Sequence, residues 1–546
     1  MPYLSLLLKW WTLLQTPIRK FQYLVSYQEQ ILDRVRRAMT VGSCCVAAVL
    51  LLAAARDAGC ANVLAVFPFN GHSHFAMVAP LMEALADRGH RVTVISPFPR
   101  RSPPPNYVDI DVSDVLPPVI SQLNVTDMTS VTANPVTRLR SLCHMNYMVC
   151  DAAFAHPQVL RLIRGPSTGF DVVFTEIFSS DCFAAFAHKF GVPLISMRTA
   201  EGSPHVHQRA ANPQNPAYLV NHLLTYWPPL TFVQRLVNAA STHLGAIGFH
   251  AFSDGPSTEL ARRYFGVDTP PMSEIVARTS LVLVNSHHSI LQARPTVPNV
   301  VEVGGIHIRD TKPNATNEWT EFCDRCGQGV IYVSFGSLIK GESFPRGFVS
   351  SLVRAFEKLP YCVLWKYEGD GIDSERIRVS KWMPQQDILS HNNIKVFITH
   401  GGLMGVMEAV HFGVPMIGIP VFGDQPANVA KCVQRGVAIG LNYRLINENV
   451  LIDSIRAIVT DDKYRINSIE LSARFRDRPM SALETAVFWT EYVIKHSETT
   501  STISSAVEMS FYEHYLLDVI TFFIFISLIL LYIVHKLKLI LQSFFL

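Results

Sequence analysis

Charge is scarce in this 546-residue sequence: Asp, Glu, Lys and Arg make up 17% of it, and the formal net charge is only +3. No block of lysines and arginines occurs that could neutralise a run of phosphates, so nucleic acid is excluded as a partner held by counterion release. A strand-linked G-x-G-x-x-G is missing, which argues against a dinucleotide-dependent dehydrogenase, and G-K-[ST] is missing, which argues against a P-loop nucleotidase. There is no H-E-x-x-H and no long internal repeat. The ten cysteines are irregularly spaced, and Cys323 and Cys326 have no second Cys or His pair at zinc-ligand spacing. Nothing visible requires a metal; a local disulfide or free thiols account better for these two residues.

Apolar residues are abundant by contrast. They form 49% of the chain, and the mean hydropathy of +0.21 is slightly high for a purely soluble protein. Val41–Ala55 is almost wholly apolar, is preceded by Arg34, Arg36 and Arg37, and is followed by the small residues Ala58, Gly59 and Cys60. That is the layout of a cleaved signal peptide. The residues before Met39 carry their own apolar patch, Leu4–Leu14, so the start is open between Met1 and Met39.

Near the other end, Leu516–Val534 is apolar except for Asp518, Thr521 and Ser527, long enough as a helix to cross a hydrocarbon core of roughly 30 Å. Glu508, Glu513 and Asp518 precede it, and His535, Lys536 and Lys538 follow it. The positive-inside tendency then puts a short tail, 536–546, in the cytosol and the bulk of the chain in the lumen. A lumenal location gives meaning to the sequons at Asn124 and Asn314, each in a polar, turn-rich setting.

Between these ends short apolar runs alternate with amphipathic stretches. Val63–Phe67, Ala76–Asp87 and Arg91–Ser96 read as a βαβ unit, and Asp171–Thr175, Pro193–Ser196 and Ser280–Asn285 as further buried strands. After a segment rich in proline and glycine, alternation restarts with Val330–Ser334, Val363–Lys366, Lys395–Thr399 and Pro415–Ile419. The expected organisation is a leader and signal peptide over 1–60, a first domain over 61–290, a linker over 291–329, a second domain over 330–500 and a transmembrane helix over 515–535.

The most informative stretch begins at Lys395. A buried strand ends in His400, Gly401 and Gly402, and a helical pattern opens at Leu403. Strand, glycine turn and helix N-terminus form an anion-binding device that needs no metal, because backbone N–H groups approach a diphosphate closely and the helix end carries partial positive charge. Glu408, one turn further on, is placed to accept ribose hydroxyls, and Asp424 with Gln425 offers polar handles for a sugar. Upstream, Trp382 presents a flat surface for a base and Gln385 an amide. Ser334–Ser337 is a third loop that follows a strand.

In this order the run matches "W-x-P-Q", "T-H-G-G", the following Glu and "F-G-D-Q", and it resembles the UDP-glycosyltransferase family, two-domain inverting enzymes of the GT-B fold. The resemblance reaches from about Asn62 to the tail and includes "VEVGGIHI" before the linker. It implies an α/β fold with two Rossmann-like domains facing a cleft, plus the C-terminal transmembrane helix. It also implies that Trp382 stacks on uracil, Gln385 contacts the nucleotide, Ser337 and His400 the diphosphate, Glu408 the ribose, and Asp424 with Gln425 the transferred sugar. Where many members carry a polar residue after the glycine pair, this chain has Leu403, Met404 and Gly405, so backbone N–H groups at Gly405 must substitute. The expected donor is UDP-glucose or UDP-glucuronic acid; the chain is closer in character to insect members, which favours glucose.

Transfer to a hydroxyl needs a base, and a histidine suits the task. His72 and His74 fall in the loop expected before the first helix, at the carboxyl end of the first strand. His74, directly after Ser73, matches the family's base. Its orienting acid is either Glu176, where the family usually has Asp, or Asp181, which keeps the Asp identity five residues later. The sequence reading prefers Asp181, on the ground that a short side chain on a loop reaches as well as a long one from a strand. Tyr218, Tyr226, Trp227, Phe232 and Phe249 are candidates for an apolar acceptor wall, which predicts broad acceptance of small lipophilic phenols or alcohols.

The resemblance implies conjugation and detoxification at the endoplasmic reticulum membrane, in a glycoprotein without a cofactor. A homo-oligomer is left open. The alternatives are an epimerase on the same architecture, and a catalytically impaired protein that binds UDP-sugar or lipophiles without turnover; a displaced acid and the missing phosphate donor at Met404 would be symptoms of the second.

Overall fold

The computed structural model describes residues 60–131, 134–309, 317–372, 374–497 and 502–544. The signal-peptide run, the basic residues before it and the sequon at Asn314 lie outside them. Among the described residues the strands form two parallel sheets.

The first sheet contains β1 (Asn62–Val66), β2 (Arg91–Ser96), β3 (Tyr107–Asp111), β4 (Val172–Glu176), β5 (Leu194–Arg198), β6 (Thr279–Val284) and β7 (Val300–Glu302), in the order β3-β2-β1-β4-β5-β6-β7. The second contains β8 (Val330–Ser334), β9 (Cys362–Lys366), β10 (Ile377–Ser380), β11 (Ile394–Thr399), β12 (Met416–Gly418) and β13 (Ala438–Gly440), in the order β10-β9-β8-β11-β12-β13. The central strands are near-continuous apolar runs because helices cover both faces; Val63, Val173, Ile331 and Val396 are each fully buried.

In both sheets the strand order reverses next to the first strand, between β1 and β4 and between β8 and β11. Chains leaving the two strands there diverge to opposite faces, which opens a crevice at their carboxyl ends. The residues that follow β1 and end β4 include His74 and Glu176; those that follow β8 and β11 include Ser337 and His400. The topology alone therefore brings the candidate site residues to two facing sheet edges.

Two boundaries differ from expectation. β7 extends the first sheet into the expected linker, pairing with β6 through Val282 and Val300. Helix Ala482–Lys495, close to the second sheet in sequence, packs instead under the first: Ala482, Ala486 and Val487 share a core with Val63, Met77 and Leu81, and Glu491 pairs with Arg88. Cys326 is bonded to Cys362 and Cys150 to Cys182, while Cys323 is free and buried. The two cysteines three residues apart thus do not pair, because Cys326 leaves its helix beside the start of β9.

Helix Leu517–Phe544 follows. Its stretch Leu517–Ser543 is long and apolar enough to cross a membrane, and none of it is buried against the protein.

Candidate active site

One cleft of about 2840 Å³ runs between the carboxyl edges of the two sheets and is lined by His74, Ser337, Trp382, Gln385, His400, Gly402, Gly405, Glu408, Asp424 and Gln425. Gly401 is buried behind them in the same turn.

His72 and His74 stand in the first turn of helix His72–Asp87 rather than in a loop before it. Gly71, the N-cap, lacks a side chain because a Cβ there would come within 2.7 Å of the Phe69 ring. The His74 ring lies between Phe69 and Phe178, with centroids 4.5 and 4.7 Å away. Its Nδ1 is 2.5 Å from Oε1 of Glu176, the last residue of β4. Thr199, the first residue after β5, donates to the same carboxylate oxygen at 2.7 Å and lies 3.1 Å from Nδ1. Burial raises the pKa of Glu176, but the charge of His74, hydrogen bonds from His74 and Thr199, and the Arg198 guanidinium outweigh it and hold the carboxyl below its usual range. An anionic carboxylate at Nδ1 selects the tautomer with the proton on that nitrogen and leaves Nε2 as the acceptor.

Asp181 is not at this histidine. It caps the short helix Cys182–Ala184 and is engaged by Arg209, with both side chains buried. The preference for Asp181 is therefore corrected: a buried guanidinium claims its carboxylate, and the longer Glu176 reaches the imidazole directly from the strand end. Thr199 and Arg198 were not anticipated, although their position at a strand's carboxyl end was a usable signal.

In the other half, His400 follows β11 and Gly402 caps helix Leu403–His411. The imidazole is wedged between two glycines; a Cβ at Gly336 or at Gly402 would lie 2.6 Å from its Nε2. Burial, aided by the charge of Lys366, pushes its pKa down to about 4, so it is neutral near pH 7, and Nδ1 has no hydrogen-bond partner among the described residues. Lys366, which ends β9 and also lines the cleft, supplies a cation that sequence reasoning missed.

Glu408 accepts from Gln385 and from Gln386 at 3.2 Å, and His307 Nε2 lies 3.3 Å from its carboxylate. Gln425 accepts from Val421 N–H at 2.9 Å and Phe422 N–H at 3.1 Å, and Asp424 accepts from Asn428 at 2.9 Å. Trp382 is half-exposed, with one edge against His72 at 5.0 Å.

The expected acceptor wall is largely replaced. Phe249 lines the cleft, but Tyr218, Tyr226, Trp227 and Phe232 do not; Trp227 packs under Arg435. The apolar lining comes instead from Leu139, Leu142 and Met145 of helix Pro135–Ala155, from Leu244 and Ile247 of helix Phe232–Phe249, and from Phe178.

Several links join the halves. Residues after Val119 run from Gly71 to the Ser337 loop: Val119 bridges to Gly71 and Leu123 to Ile339, and Ser121 N–H donates to Ser337 at 2.8 Å. Glu201 forms a buried ion pair with Lys431, in the helix that opens at Gln425.

Residues 62–546 match the family model described as UDP-glucoronosyl and UDP-glucosyl transferase. The chain belongs to this family. It is 38% identical over 464 residues to UDP-glucosyltransferase 2 of Dactylopius coccus, covering 85% of this chain and 89% of that protein. It is 28% identical over 507 residues to mouse UDP-glucuronosyltransferase 2B17, covering 87% and 93%. Among solved structures it is similar to TcCGT1 in complex with UDP, with a TM-score of 0.52 and 15% identity over 80% of this chain and 99% of that one. The fold is accordingly GT-B, and the protein is a UDP-glycosyltransferase with a UDP-sugar donor.

Proposed function

We propose that this transferase moves glucose from UDP-glucose, with inversion, to a hydroxyl of small lipophilic acceptors, with His74 as the general base and Glu176 as the acid that orients it. The observation that carries this reading is the His74–Glu176–Thr199 cluster at one edge of the cleft, facing the glycine turn and Asp424 at the other. Glu176 and Thr199 fix the imidazole with Nε2 free. The acceptor hydroxyl gives its proton to Nε2 as its oxygen forms the bond to the anomeric carbon and the bond to the UDP oxygen breaks. The N-terminus of helix Leu403–His411, neutral His400 and Lys366 stabilise the departing diphosphate, which makes a metal unnecessary in this reading. Trp382 stacks on the base, Gln385 and Glu408 hold the nucleotide and ribose, Ser337 contacts the diphosphate, and Asp424 with Gln425 holds the sugar. The Dactylopius relative's name supports glucose over glucuronic acid. Contact between Glu176 and His74 weighs against the reading of a binder without turnover.

Leu517–Phe544 is read as a single membrane span of the endoplasmic reticulum, with the catalytic domains lumenal. Two disulfides and an exposed Asn124 sequon support an oxidising, glycosylating compartment. Conjugation of lipophilic compounds for detoxification is the role this arrangement fits.

The test is product formation from UDP-glucose and a phenol by the full chain in microsomes. His74→Ala is expected to lower kcat by about 10²–10⁴ while UDP still binds in a titration. Undiminished turnover by that variant would remove His74 from the mechanism.

A further inference from the structure

Lys366, at the end of β9, lines the cleft half-buried, and among the described residues its Nζ has one hydrogen-bond acceptor: Oγ of Ser121, at 3.2 Å. Ser121 belongs to the first domain. Its N–H donates to the Ser337 carbonyl at 2.8 Å. One residue of the first domain thus meets two residues of the second that are read as holding the diphosphate.

Ser121 sits in a strap fixed at both ends. At its start, two residues before the helix that carries His74, the Asn70 carbonyl accepts from Val119 N–H at 2.9 Å and the Asn70 amide donates to the Pro117 carbonyl at 3.0 Å. At its end, Gln122 and Leu123 N–H donate to the Leu338 carbonyl at 3.1 and 3.0 Å, and Lys340 N–H donates to the Leu123 carbonyl at 2.9 Å. Val125 N–H then donates to Ser343 Oγ at 3.0 Å, and the Val125 side chain, 2% exposed, belongs to the core of the second domain with Phe335, Ile339 and Phe344. Bonds on both sides therefore fix where the Ser121 hydroxyl stands.

The backbone at this residue is unusual. Ser121 has φ +50°, in the left-handed region where a Cβ is disfavoured and glycine is the residue of least cost. A serine held in that conformation points to a use for its hydroxyl. The partner explains the use. Lysine carries its charge on a flexible four-carbon stem, so without a fixed acceptor the ammonium samples several directions. An ammonium has three N–H donors; Ser121 takes one and leaves two for phosphate oxygens.

We infer that Ser121 is a positioning residue for the donor: its hydroxyl aims the Lys366 ammonium at the diphosphate while its N–H holds the Ser337 loop beside it. The donor site in the second domain is then completed by the first. This rests on the proposed role of Lys366 at the diphosphate.

The experiment uses the full chain in detergent micelles. Ser121→Gly removes the hydroxyl, keeps the N–H and suits the left-handed backbone, so its denaturation midpoint is expected to stay close to the parent's. Its Kd for UDP in a calorimetric titration, and its KM for UDP-glucose, are expected to rise about tenfold. Kd for uridine, which has no phosphate, and KM for a phenol acceptor should not change. In a Lys366→Met background the same substitution should alter Kd for UDP by less than about twofold, because the group it aims is gone.

UDP binding by Ser121→Gly equal to the parent's, an equal loss for UDP and uridine, or a loss of the same size in the Lys366→Met background would each overturn the inference. If Lys366→Met itself weakens UDP but not uridine, the role of Lys366 stands in all three cases. Parent-like UDP binding by Lys366→Met would overturn that role, and this inference with it.

Discussion

At Glu176 and Asp181, two carboxylates five residues apart have different partners and different expected costs of removal. Glu176→Gln keeps shape but offers His74 Nδ1 an amide, so the imidazole loses its fixed tautomer; kcat is expected to fall by about 10²–10⁴, with little change in thermal stability. Asp181→Asn leaves the buried Arg209 without its counter-charge, which costs about 3–5 kcal/mol. A lower denaturation midpoint with kcat close to the parent's is the expected result. Steady-state kinetics and denaturant titration on the pair separate the two roles; a kcat loss confined to Asp181→Asn would reverse the assignment. His74 was legible in the sequence because it follows a strand and carries the family motif. Its acid was not, because the choice depends on where Arg209, 28 residues further on, places its guanidinium.

The glycine turns and edge strands act at the scale of whole elements. Gly402 has φ −60°, open to any residue, so its need for glycine is steric: a Cβ would meet His400 Nε2 at 2.6 Å. Gly402→Ala is expected to fold normally and to weaken UDP binding by about tenfold, or about 1.4 kcal/mol, by displacing the imidazole; calorimetric titration with UDP measures it. The helix of the first βαβ unit, the helix that opens at Leu403 and the central strands were read at nearly their observed places, since strands covered on both faces appear as apolar runs. β3, β7, β10 and β13 were not read, and these are the four sheet edges. An edge strand is covered less: Val108 in β3 is 57% exposed, and β13 is only three residues long. Without a continuous apolar run, such a strand carries little signal.

Across the whole molecule, buried histidines couple stability to pH. Burial holds His205, His207 and His222 well below 6.5, His287 near about 3 and His400 near about 4. The unfolded chain binds protons to these groups near pH 6.5 and the folded one does not, so their stabilisation is present above 6.5 and is lost as pH falls from there toward 4. Each contributes a slope of up to about 1.4 kcal/mol per pH unit in that window. Thermal denaturation at pH 7.5, 6 and 5 should show a falling midpoint, and His400→Gln should make the fall shallower.

The Glu201–Lys431 pair acts at the same scale, joining the loop after β5 to the helix that opens at Gln425. Lys431→Met breaks this buried ion pair and is expected to cost about 3–5 kcal/mol, read by denaturant titration. Lys431→Glu combined with Glu201→Lys should recover part of that loss.

The sequence by itself determined the parallel α/β architecture, the apolar C-terminal helix and the family, because periodicity and contiguous motifs are local properties of the chain. Most of one edge of the cleft was legible for the same reason: Trp382, Gln385, His400, Glu408, Asp424 and Gln425 lie within 44 residues of one another on consecutive elements. Only the tertiary structure decided the partner of His74, the replacement of the expected acceptor wall by helices Pro135–Ala155 and Phe232–Phe249, and the return of helix Ala482–Lys495 beneath the first sheet. Each of these joins segments far apart in the chain, and which of several chemically equivalent side chains meets another is set by packing and by competition among buried charges.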